Sequence, residues 1–225
     1  MLNGGCSNMK KFREPVSGFT HLFGAVVSLV GLVALLYKQL TMGKYTSFSI
    51  FATLVFGLSL VFLYTASCTY HLVVSKEGVI RFLRKLDHSM IFILIAGTYT
   101  PICLIALESY WRWGIFFTIW TLAILGIIFK FLWIDCPSWL SATLYVGMGW
   151  LAIIAFSPLL RAIGAAGVKY LLLGGILYTV GAVFYCLEKN GTKRTFGAHE
   201  IFHIFVLLGS LSHYWLVFKY ILTLA

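Results

Sequence analysis

Read from one end, the chain alternates long apolar runs with short polar breaks, and the runs have the length a membrane demands. A helix that crosses the hydrocarbon core needs about 20 mostly apolar residues. Seven segments meet that measure, at about 18–39, 48–71, 87–107, 113–134, 139–158, 168–187 and 199–221. The breaks between them, such as "MGKYTS", "ESYWRW", "IDCPSW" and "EKNGTKRTFG", are made of turn-forming and charged residues. The fifth run is the weakest, since it holds Gly147 and Gly149 and ends on Pro158. No break is long enough for a soluble domain, and no period of about 20–50 residues repeats. The pattern predicts an all-α integral membrane protein. It would be a single seven-transmembrane-helix domain over 1–225, with 1–13 as a flexible tail and no cleaved leader.

Composition agrees: 60% of the residues are hydrophobic and 11% charged, with a mean hydropathy of +0.94. Soluble domains carry roughly 25% charged residues. The formal charge of +10 could suggest nucleic acid, but it sits in short loops between apolar runs, where it acts as a topology signal. Eleven of the 17 Lys and Arg residues fall on the side of the N-terminus and of the breaks after runs two, four and six. The positive-inside rule therefore places the N-terminus in the cytoplasm and the C-terminus outside. Lys130 closes run four on the cytoplasmic side, where its stem is expected to snorkel. The five cysteines include no C-x-x-C pair, which argues against a cysteine zinc site.

On this frame the ionisable residues of the runs converge. Run two ends with Ser67 and His71, four apart and so on one helix face. Run three opens with Asp87 and His88, expected in its first turn, and run seven with His199 and His203, again four apart. His21 opens run one at the same level. Ionisable groups at membrane depth are costly unless paired or coordinated. Three imidazoles with a carboxylate nearby suit Zn²⁺, with a fourth position open to water. The expected ligands are His71, His199 and His203. Asp87 is the candidate base and Ser67 a candidate for holding the ligand shell or a substrate carbonyl. Histidine-rich ligation favours zinc over iron or manganese.

Each group alone also has a structural reading. A lone histidine at a helix end is commonly an interfacial hydrogen-bonding residue, and an aspartate in a first turn is favoured by the helix dipole. His213 lies about 15 Å beyond His203 by helix rise, too far to join the cluster, and suits an interhelical hydrogen bond. His199-Glu200-Ile201-Phe202-His203 also spells the H-E-x-x-H of zinc proteases, with Glu200 as base. Glu200 equally suits a helix N-terminus as a favourable charge.

The stretches "FTHLFGAVVSLVGLVALL", "SCTYH", "LDHSMIFILIAGTYTPICL" and "HEIFHIFVLLGSLSH" resemble the hemolysin III family of the progestin and adiponectin receptor (PAQR) superfamily. The resemblance runs from about Glu14 to the end, and the larger grouping takes in the alkaline ceramidases. It implies seven helices, the N-terminus inside, and zinc near the cytoplasmic face of a bacterial cell membrane. It matches His71, His199 and His203 to the metal motif, and Asp87 and Ser67 to its companions. Glu200 has no place in that motif.

The function expected is zinc-dependent hydrolysis of a lipid amide or ester, with a membrane lipid as substrate or ligand and no nucleic-acid partner. One alternative is a non-enzymatic homeostasis or signalling protein with structural zinc. A second is a pore-forming cytolysin, which would want polar stripes that runs four to six lack. An H-E-x-x-H intramembrane protease ranks last.

Overall fold

The computed structural model describes residues 12–43, 45–188 and 196–225. Most of the expected tail, and Lys189, Lys193 and Arg194 of the sixth break, lie outside the described residues. The described chain is helical, in the order α1 Pro15–Thr41, α2 Ser47–Leu72, α3 Glu77–Pro101, α4 Ser109–Leu132, α5 Ser138–Gly149, α6 Phe156–Leu187 and α7 Ala198–Leu216. A π segment, Ile102–Ala106, prolongs α3, and another, Val217–Ile221, prolongs α7. Local chemistry sets the boundaries. Pro15 opens α1 at a position that needs no N–H donor. Thr46 and Ser49 exchange side-chain and backbone bonds across the start of α2.

The helices pack so that α3 touches α2, α4 and α5, while α7 closes back onto α1. In their most apolar stretch, 72% of α3 is buried against 22% of α4, which makes α3 the central helix. The outer surface is apolar, unlike that of a soluble protein. Val30, Val33, Leu125, Ile153 and Ile154 face outward, while Ser17, His21, Thr53, Ser59, His71 and Asp87 are buried. With lipid as the solvent, polar side chains are satisfied only inside the bundle. Close approach relies on small residues: a Cβ on Gly97 would collide with Ser59.

Six stretches among the described residues have the length and hydropathy to cross a membrane. The runs expected at 139–158 and 168–187 form one of them, the 50-residue stretch Ser138–Leu187. It is interrupted by a 3-10 segment, Trp150–Ala155, and by Gly164 at φ 66, a left-handed conformation that favours glycine. The stretch doubles back on itself. Trp150 Nε1 donates to Thr179 Oγ1 at 3.0 Å across 29 positions of sequence, which a straight helix would hold about 43 Å apart.

Two expectations are corrected. Helix α3 starts at Glu77, not near Asp87, so Asp87 and His88 lie about three turns inside it and Glu77 takes the first-turn acidic place. The polar segment 77–85 stays helical because Arg81 and Arg84 pair with Asp135 at 2.6 and 3.0 Å, and Lys85 donates to the Phe131 carbonyl. Lys130 does not snorkel. It is fully buried, donating to Ser141 Oγ at 2.5 Å and Cys136 Sγ at 3.2 Å.

Candidate metal centre

The last turn of α2 and the first two turns of α7 bring His71, His199 and His203 together, with their candidate ligand atoms all within 4.8 Å of one another. His71 and His203 are buried, and His199 is half-buried. Nε2 of His71 faces Nε2 of His199 at 3.4 Å. The far side of each ring explains this orientation. Nδ1–H of His71 donates to Glu14 Oε2 at 2.5 Å, that of His199 to Glu188 Oε2 at 2.9 Å, and that of His203 to the Ser17 carbonyl at 3.3 Å. An acceptor on every Nδ1 fixes one tautomer in all three rings and leaves each Nε2 with a free lone pair.

Two facing lone pairs at that distance repel unless a cation or a proton lies between them. Nitrogens about 2.0–2.1 Å from a tetrahedral zinc are roughly 3.4 Å apart, which the His71–His199 pair already matches. The carboxylates behind the imidazoles are the outer partners expected of metal-bound histidines. The donor set therefore fits a metal ion. Hydrogen bonding from His199 holds the Glu188 carboxyl below its usual range, against the effect of burial. For Glu14, burial pushes the carboxyl up, but the hydrogen bond from His71 and the charge of Arg13 hold it low.

Replacing Glu14 with alanine should free the His71 ring and weaken metal binding by about 10–100-fold. Competition with a chromophoric chelator measures this, and unchanged affinity would make the 2.5 Å contact incidental.

Asp87 and Ser67 face the same space. Both are buried, and both line one cavity with His199 and His203. That cavity is partly open to the outside. Its walls run along α3, α6 and α7 through Ile91, Ile95, Leu172 and Val206, and are chiefly apolar.

The structure also places residues whose roles were open. His21 stacks on His203, centroids 3.7 Å apart, and neither of its nitrogens has a hydrogen-bond partner among the described residues. His88 lines the cavity. Glu200 turns away from the imidazoles: Oε1 accepts from Ser17 Oγ at 2.8 Å and Oε2 from the Gly197 N–H at 2.7 Å. It caps α7 and ties it to α1. His213 makes an interhelical bond, its Nε2–H donating to the Leu171 carbonyl at 3.1 Å. Sequence reasoning missed Glu14, Glu188 and Ser17. The only available signal was the spacing of Ser17 and His21, which share one helical face.

Outward apolar side chains, buried polar ones and a histidine cluster at one end define a multi-pass, all-α membrane protein with a candidate metal centre. The family model described as "Haemolysin-III related" matches residues 9–214. The chain is 39% identical over 212 residues to "Hemolysin-3" of Bacillus cereus, covering 94% of this chain and 93% of that one. It is 37% identical over 207 residues to "Hemolysin-3 homolog" of Bacillus subtilis (strain 168), covering 92% and 93%. A more distant relative, "Monocyte to macrophage differentiation factor" of Homo sapiens, is 29% identical over 223 residues, covering 93% and 85%. The chain belongs to the haemolysin-III related family, and its likeness to bacterial members fits a bacterial plasma membrane.

Proposed function

We propose that this protein is a seven-helix, zinc-dependent hydrolase of a lipid amide or ester, acting near the cytoplasmic face of the membrane. The observation that carries the reading is the cluster of His71, His199 and His203, of which His199 and His203 line the head of a long apolar cavity. The whole chain is taken as one membrane domain. The doubling back of Ser138–Leu187 supports two crossings there, hence seven in all, since 50 residues far exceed the roughly 20 that one crossing needs. Arg81, Arg84 and Lys85 cluster at the histidine end, which supports a cytoplasmic placement for it.

His71, His199 and His203 would hold the metal, and an all-nitrogen set with room for a fourth group favours zinc. When bound, zinc supplies Lewis acidity, which polarises a carbonyl and lowers the pKa of water toward about 7. Asp87 accepts the proton of the attacking water and returns it to the departing amine or alcohol. Ser67, which lines the same end of the cavity, would hold that carboxylate or the substrate carbonyl in position. The cavity accepts the acyl chain, keeping the carbonyl at the histidine end and bulk water away from the apolar walls.

Metal analysis of the purified protein, paired with mass spectrometry of products from a panel of lipid amides and esters, tests this. The expected result is one equivalent of zinc and release of a fatty acid that a chelator stops. Metal-free protein that is folded and inert would overturn the reading.

A further inference from the structure

Away from the histidines, the end of α4 and the start of α5 enclose a second reactive cluster. Lys130 lies in the last turn of α4, Cys136 in the loop that follows, and Ser141 in the first turn of α5. Lys130 Nζ donates to Ser141 Oγ at 2.5 Å and to Cys136 Sγ at 3.2 Å, and the hydroxyl and the thiol are themselves 3.2 Å apart. The loop is anchored to α3, because the neighbouring Asp135 accepts from Arg81 and Arg84.

A buried ammonium is costly unless it is paired. The described hydrogen bonds of Lys130 go to a hydroxyl and a thiol, not to a carboxylate. The thiol resolves this. Passing one proton along the 3.2 Å contact converts ammonium and thiolate into amine and thiol, and either form of the pair is neutral as a whole. Each partner is thus a nucleophile in one of the two forms, sulfur as the thiolate and nitrogen as the amine.

Lys130 and Ser141 are 0% exposed, whereas Cys136 keeps 7% of its surface and lies between the exposed Asp135 and Pro137. A small oxidant arriving at the loop therefore meets Cys136 first. Among the described residues no disulfide captures the sulfur: Cys136, Cys68, Cys103 and Cys186 are all free thiols. Of the two groups 3.2 Å from it, the lysine nitrogen is the stronger nucleophile and the serine hydroxyl the weaker.

We propose that Cys136 and Lys130 form an oxidative modification site, at which a hydroperoxide drives a reversible sulfur–nitrogen bond between the two side chains. In the first step the Cys136 thiolate attacks one oxygen of hydrogen peroxide, the O–O bond breaks, and sulfur gives up two electrons to become a sulfenic acid. The departing hydroxide takes a proton from the Lys130 ammonium and leaves as water. In the second step the neutral amine attacks sulfur, the S–O bond breaks, and the hydroxyl leaves with a proton from nitrogen as a second water. One peroxide is consumed and the protein loses two hydrogens. Two equivalents of a small thiol, leaving as their disulfide, restore the thiol and the amine. The link closes the loop onto α4 beside the Asp135 anchor.

Peptide mass spectrometry of the purified protein, treated with hydrogen peroxide in detergent micelles, tests it. In the linked chain trypsin should no longer cut after Lys130, and the uncut peptide holding Cys136 should be lighter by two hydrogens, about 2 Da. Dithiothreitol should restore both cleavage and mass. Lys130→Arg keeps the charge and removes the attacking amine. Dimedone, which captures sulfenic acids, should therefore label Cys136 in that variant and not in the peroxide-treated wild type. Peroxide added after unfolding in sodium dodecyl sulfate should give no link, since the 3.2 Å contact is then lost. Cys136 left as a free thiol, or carried on to sulfinic acid while trypsin still cuts at Lys130, overturns the proposal. Equal dimedone labelling of the two proteins does so too, as does a link formed as readily in the unfolded chain. The comparison of folded with unfolded wild type decides even if the variant does not fold.

Discussion

Replacing His199 and His203 together with alanine is expected to abolish stoichiometric metal in the purified protein. It should also erase the difference in melting temperature between chelator-treated and metal-loaded samples. Two of three Nε2 donors are lost, and His71 alone cannot complete a tetrahedral site. A ligand that binds only the folded state stabilises it by about 4 kcal/mol when present at a thousandfold excess over its Kd. The wild type should therefore lose stability on the order of that figure when chelated, and the double variant nothing further. Part of the variant's own loss comes from Glu188 and the Ser17 carbonyl, which lose the imidazole donors they now hold. Comparing each protein with and without chelator separates this from the metal. Metal retained at full stoichiometry in the folded double variant would refute the ligand assignment.

The parts of this site that were readable in advance are those carried by helical periodicity. Ser67 with His71 and His199 with His203 each share a face because they are four apart, and the ends of apolar runs set their common depth. The carboxylates that orient the rings were not readable. Glu14 precedes the first turn of α1 and Glu188 follows the last turn of α6, so no periodicity directs them at His71 or His199. Depth along α3 was misjudged for a related reason. An apolar run marks where lipid begins, whereas backbone hydrogen bonding continues through a charged segment, so α3 starts ten residues before Asp87. Lys130 exposes the same limit. Hydropathy placed it near a helix end but could not say which face of α4 meets Cys136 and Ser141.

Asp87→Asn should lower hydrolytic turnover by about 10²–10⁴-fold, leaving zinc content and melting temperature close to the wild-type values. The substitution keeps the shape of the side chain, so packing in the middle of α3 is retained. It removes the carboxylate, which lines the cavity with His199 and His203 and can take up a proton from water. This variant separates an enzyme from a protein that uses the same histidines to staple α2 to α7. In an enzyme the proton acceptor matters for rate and hardly for metal affinity. In a staple, Asp87 acts only through its charge near His71 and His199, and its neutralisation would weaken metal binding with no turnover to lose. Ser67→Ala sharpens the distinction. If Ser67 positions the base, its loss lowers kcat by a smaller factor than Asp87→Asn, and adding it to that variant costs little more, because residues acting as a unit are not additive.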